Sequence, residues 1–225
     1  MQLLVERVTD AFIWPTRDPA WLSKIAIIAL ILLIPVLGGI NGLGWMLANL
    51  ERLRAGDETM APANFSYLGR GFRLFVVQLV YGLAVVALAL LIYLPAVLMA
   101  VGQGKGEANP ALIVVAILLN LLAFGTATIG SLLLTFVTPA MVLATDAGGV
   151  GGGLRVRDVW RRSRLNLNNT LIAGLMLIAA GFVSSLGAIV CVVGVLVTAA
   201  YALAMQAWVF RSFELGSKVS PQRAH

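Results

Sequence analysis

From Leu171 to Phe210, forty consecutive residues carry no charged side chain, and that run limits what the chain can become. As one straight α-helix it would be about 60 Å long, roughly twice the hydrocarbon core of a bilayer. It must therefore turn. Ser184-Ser185-Leu186-Gly187 is the expected place, because small residues let the backbone bend and hydroxyls take up the carbonyls that a bend frees. Two spans result, at about residues 169–184 and 188–211.

The rest of the chain reads the same way. Hydrophobic residues make up 60% and charged residues only 12%, against about a quarter charged in soluble domains. Further uncharged segments lie at about 25–48, 74–101 and 111–143. The expected fold class is all-α: a polytopic transmembrane helical bundle of about five hydrophobic segments with short amphipathic interfacial helices. Residues 25–215 form one membrane domain, preceded by an interfacial segment at 1–24 and followed by a polar tail at 216–225. Met1–Phe12 places Leu4, Val5, Val8, Ala11 and Phe12 on one helical face, an arrangement suited to the interface rather than to a cleaved leader. The third segment is too long to stand straight, so it tilts, protrudes or bends at Pro139.

The first segment is the most broken, with Pro35, Gly38, Gly39, Asn41, Gly42 and Gly44 in its middle. Its path decides the orientation count. As a span, it leaves twelve of the sixteen basic residues on the side of the arginine loops; as a hairpin bent near Pro35–Gly39, it leaves fifteen. The basic side is expected to be cytoplasmic in the inner (plasma) membrane, with the C-terminus on that side. Charge favours the hairpin. Length favours the span, since Trp21 to Trp45 is about 36 Å as helix, near the spacing of two aromatic belts. The span is the expectation and the hairpin its alternative.

Asp146–Asn169 reads as a polar loop. Gly148, Gly149, Gly151, Gly152 and Gly153 form a supple linker before Arg155, Arg157, Arg161, Arg162 and Arg164, which surround Trp160. No Gly-Lys-Ser/Thr follows the glycines, which argues against a phosphate loop. A short interfacial helix, with Trp160 in the headgroups and arginines on anionic lipid, is the expected structure. The net charge of +6 is thus ascribed to orientation and lipid, and no nucleic-acid partner is expected.

Chemistry is conspicuous by its absence. The uncharged segments hold no Asp, Glu, Lys, Arg or His, the groups that ion relays and proton-coupled transport retain despite their cost in lipid. One cysteine, Cys191, and one histidine, His225, cannot cluster around a metal. No catalytic residue and no cofactor is expected, and Asp146 and Asp158 read as solvated loop carboxylates. Gly38, Gly42, Gly125 and Gly181 are the candidate helix-packing points, and Thr128, Ser131 and Thr135 form a hydroxyl stripe beside Gly125. The expected function is non-catalytic: a scaffold or accessory subunit of a larger membrane complex, whose partners are lipids and other membrane subunits or further copies of itself. The alternative is a small-solute or lipid channel or transporter using the broken first segment and the hydroxyl stripe.

The order Trp14-Pro15, Asp18-Pro19-Ala20-Trp21-Leu22, Lys24, Pro35, Gly44, Arg52, Arg54-Ala55-Gly56-Asp57, Pro62 and Phe72 resembles the bacterial and archaeal membrane proteins grouped as DUF4013. The closing Leu186-Gly187, Cys191-Val192-Val193-Gly194 and Tyr201 are similar too. The resemblance runs from about residue 10 to 215. It implies an integral membrane protein and no catalytic or binding residue, because the family carries no established activity.

Overall fold

The computed structural model describes residues 9–102, 109–189 and 192–219, and among these it is all-α without a strand. Residues 1–8, residues 103–108 with Lys105, Cys191 and the end of the tail with His225 lie outside the described residues. A short helix α1 at residues 9–13 leads into a 3-10 turn at Trp14–Arg17. There follow α2 (Trp21–Leu32), α3 (Leu37–Arg54), α4 (Leu68–Gly102), α5 (Pro110–Gly153), α6 (Val156–Leu165), α7 (Leu167–Leu186), a 3-10 turn at Gly187–Ile189 and α8 (Val192–Val219). Four helices are long and apolar enough to cross a bilayer: Leu68–Met99, Pro110–Gly153, Leu167–Leu186 and Val193–Ser217. The chain forms two compact units, one comprising Met1–Val77 with Thr135–His225, the other Gln78–Leu134.

The forty-residue run turns where its length requires. At the turn Thr198 Oγ1 donates to the Ser184 carbonyl at 2.7 Å, and Gly187 lies against the Gly194 carbonyl with no room for a Cβ. At the opposite end Asn169 Nδ2 donates to the Phe213 carbonyl at 2.8 Å. α7 and α8 are therefore an antiparallel pair.

The first hydrophobic segment is two helices folded back on one another. Val36 takes a left-handed φ of 64° between α2 and α3, and Gly38 sits against the Ile31 carbonyl and Leu32. At the open end Lys24 Nζ, near the start of α2, donates to the Met60 carbonyl at 2.6 Å, beyond the end of α3. Neither helix is among the four long apolar ones. Trp45 is fully buried rather than at an aromatic belt. The physical reason lies in one stripe of α3, residues 41, 45, 49 and 52, spaced to share a helical face. Arg52 Nε donates to Thr59 O (3.0 Å), Trp45 Nε1 to Ala61 O (3.1 Å) and Asn41 Nδ2 to Asn64 O (2.9 Å). Asn49 Oδ1 accepts from Ala61 N–H (2.7 Å) and Asn41 Oδ1 from Tyr67 N–H (3.1 Å). The non-helical stretch 59–67 thus lies along α3 with its backbone satisfied by side chains, as a low-dielectric setting demands.

Asp18 locks the open end. Its Oδ2 accepts from Lys24 Nζ (2.7 Å) and Met60 N–H (2.8 Å), and its Oδ1 from Ala20 N–H (2.8 Å). Burial alone would push this carboxyl up; the Lys24 ammonium and the two backbone N–H groups outweigh it and hold the carboxyl below its ordinary value. A depressed carboxyl contributes stability that is complete above the unfolded value, about pH 4, and is lost as pH falls through the folded value. The thermal midpoint of the protein in detergent is therefore expected to exceed that of Asp18→Asn at pH 7, with the gap narrowing below about pH 4. A gap of constant size down to strong acid would exclude this role.

The glycine-rich stretch differs from the expected linker. α5 passes through Pro139 and stays helical as far as a kink at Gly149 (φ 61°, ψ −157°), after which one further helical turn closes back and ends at Gly153. Packing holds the remainder helical: Gly152 lies on the Ala144 carbonyl, and Gly153 on Thr145 and Val77. The helices also reach past the uncharged segments: Glu51–Arg54 belong to α3 and Leu68–Arg73 to α4.

Candidate functional site

Charged side chains from four helices converge at one place in the larger unit. Asp146, near the end of α5, has a side chain only 8% exposed. Its Oδ2 accepts from Arg54 Nη1 at 2.6 Å and its Oδ1 from Arg70 Nη2 at 2.9 Å. Arg54, in the last turn of α3, also donates through Nε to Glu214 Oε2 of α8 at 2.8 Å. Arg70, in the first turn of α4, also donates to Glu51 of α3, and Arg211 lies 3.6 Å from Glu214. Burial alone would lower the Arg54 guanidinium, but its bonds to Glu214 and Asp146 outweigh this and raise it, so it stays charged. Leu47, Glu51, Arg70, Arg73, Thr145 and Asp146 line a cleft of about 350 Å³ beside this network.

Asp146 is thus a buried, doubly paired carboxylate rather than the solvated loop residue expected. Asp158 is solvated as expected, partly exposed and 3.1 Å from Arg161, but it stands in the first turn of α6 rather than in a loop. Each carboxylate of the converging cluster is bonded to arginine. Among the described residues no group of three or more His, Cys, Asp or Glu is placed to hold a metal ion.

The arginine segment folds as α6, and Arg155, Arg157, Arg161, Arg162 and Arg164 are all exposed with Trp160, while Val159 and Ser163 face inward. Arg164 stacks over Trp160 at 4.7 Å. Val156, Leu165 and Leu167 are exposed on or beside the same helix, so arginines and apolar side chains are presented together. Of the four glycines, Gly38 packs inside the hairpin and Gly42 against Leu203 and Leu32. A Cβ at Gly125 or Gly181 would meet nothing within 4 Å. In the hydroxyl stripe Thr128 and Ser131 are exposed, and Ser131 Oγ donates to the Ala127 carbonyl of its own helix.

The family described as a protein of unknown function (DUF4013) matches residues 27–193. The chain belongs to that family. No curated protein and no solved structure matches it. The part matched to DUF4013 contains the side-chain ladder of α3, every residue lining the 350 Å³ cleft and all of α6. It leaves out Asp18 and the α8 residues Arg211 and Glu214 that close the ion-pair network.

Proposed function

We propose that this DUF4013 chain is a non-catalytic, multi-pass protein of the plasma membrane that works by assembly, as a scaffold or accessory subunit. The observation that carries the reading is the exposure of α4 and α5. Only 6% of the apolar window of each is buried, against 33% in α7 and 39% in α8. Gly125 and Thr128 lie on α5 away from any packing neighbour or in the open, and small residues with hydroxyls are the usual material of contacts between membrane helices. A partner subunit or a second copy covers that face. The basic ends of the helices, α6 included, lie in the cytoplasmic leaflet, and the α2–α3 hairpin enters from the same side. The exposed arginines of α6 rest on anionic lipid, each worth about 1 kcal/mol.

The open setting of Gly125 makes a clean test. Gly125→Leu is expected to leave the thermal midpoint of the purified chain within a degree or two, since a Cβ there meets nothing within 4 Å among the described residues. The same change is expected to dissociate the complex on native gels of membranes solubilised in mild detergent. Migration identical to wild type would remove the support for assembly through this face.

A further inference from the structure

We propose that the cleft between α3, α4 and α5 binds the headgroup of one amine-bearing zwitterionic phospholipid, a phosphatidylethanolamine. Arg73 would hold its phosphodiester and Glu51 its ammonium. The inference rests on the helices crossing a membrane and is independent of assembly through Gly125.

Position is the first argument. Arg73 is the last charge before the uncharged run of α4, and Asp146 is the first charge after that of α5. Both open onto this one cleft. Helices that cross a bilayer with these runs in the hydrocarbon place the cleft at headgroup level. Its volume of about 350 Å³ lies within the range of small-ligand sites, and Leu47 supplies an apolar wall.

Charge selects the ligand. Both Asp146 oxygens are taken by Arg54 and Arg70. The Arg70 nitrogens are spent on Asp146 and Glu51. Two groups keep capacity. Arg73 is exposed and has no acidic partner among the described residues. Glu51 has a side chain 67% exposed and uses Oε2 toward Arg70. One available cation and one available carboxylate match a phosphodiester beside an ammonium, because each can form a charge-assisted hydrogen bond. A choline headgroup has no N–H to offer Glu51. A headgroup with only negative charge leaves Glu51 facing charge of its own sign.

The test uses the full chain, purified and delipidated in mild detergent, with lipid binding read by native mass spectrometry. The probes are ethanolamine, choline and glycerol phospholipids with identical acyl chains. One ethanolamine lipid is expected to bind about tenfold more tightly than its choline counterpart, the size of one charge-assisted hydrogen bond. Arg73→Gln is expected to weaken ethanolamine-lipid binding about tenfold while leaving the thermal midpoint unchanged, since Arg73 makes no ion pair among the described residues. Glu51→Gln is expected to abolish the preference for ethanolamine over choline without weakening choline-lipid binding, which also shows the variant to be folded. Equal binding of ethanolamine and choline lipids, preference for the anionic glycerol lipid, or an Arg73→Gln variant that binds like wild type would each overturn the assignment.

Discussion

Asp146→Asn is expected to destabilise the protein by about 3 kcal/mol or more, which for a chain of this size corresponds to a drop of roughly 6–12 °C in thermal midpoint. The reason is what the substitution leaves behind. Among the described residues Asp146 is the one carboxylate that touches both Arg54 and Arg70, at 2.6 and 2.9 Å. Those guanidiniums have side chains only 30% and 32% exposed. An amide in its place offers one acceptor oxygen instead of two anionic ones, and two partly buried cations then face each other poorly compensated. Breaking a buried pair from one side is far more costly than never building it. A double-mutant cycle with Arg70→Gln should therefore show coupling well above 1 kcal/mol, measured by thermal unfolding in detergent. A midpoint within about 2 °C of wild type for Asp146→Asn would mean that water screens the network as it does surface pairs.

The network marks the boundary between what spacing in a sequence can disclose and what it cannot. The length of the run from Leu171 to Phe210 forces a turn whatever the rest of the chain does, and α7 and α8 meet at Gly187 and Gly194 accordingly. The arginines around Trp160 likewise have little choice. On a helix of ten residues they crowd the outer face, and Val159 and Ser163 turn inward. Asp146 is different. In the sequence it is one acid at the border of a long apolar run, next to glycines that resemble a linker. What buries it is the arrival of Arg54 and Arg70 from helices about 90 and 76 residues away in the chain.

The first hydrophobic segment shows the same division within one helix. Asn41, Trp45, Asn49 and Arg52 form a visible polar stripe, and a stripe says that something polar must lie alongside. It does not say that the occupant is the backbone of residues 59–67. Trp45 has the composition of an interfacial anchor, but its indole N–H is already engaged by Ala61. A span-sized count of residues from Trp21 to Trp45 carries no information about the left-handed turn at Val36 that divides it. Glycine spacing has a comparable limit. Gly38 and Gly42 recur at a four-residue interval within one helix and can be noticed together. Gly44 and Gly71 stand on different helices, and only the fold pairs them.

That pair carries the second large effect. α3 and α4 cross backbone to backbone: a Cβ on Gly71 would collide with the Ile40 carbonyl and lie 2.8 Å from Gly44 N, and one on Gly44 would collide with the Tyr67 carbonyl and lie 2.9 Å from Gly71 N. The obstructing atoms are main chain, and those of Tyr67 are held in place, since its N–H is bonded to Asn41 Oδ1 and its hydroxyl to the Pro62 carbonyl. Relief by rotamer change is therefore closed, and separation of the helices would pull residues 59–67 off the side-chain ladder of α3. Gly71→Ala and Gly44→Ala are each expected to cost about 3 kcal/mol, the upper end for overpacking, and to lose the thermal transition altogether if the ladder opens. Gly82→Ala provides the opposite sign. It lies inside α4 with nothing within 4 Å of a new Cβ, so the substitution should stabilise by up to about 1 kcal/mol through helix propensity alone. Thermal midpoints of the three variants in one detergent decide the matter. If Gly71→Ala and Gly82→Ala shift the midpoint alike, α3 and α4 do not meet through these glycines, and residues 59–67 are not held as described.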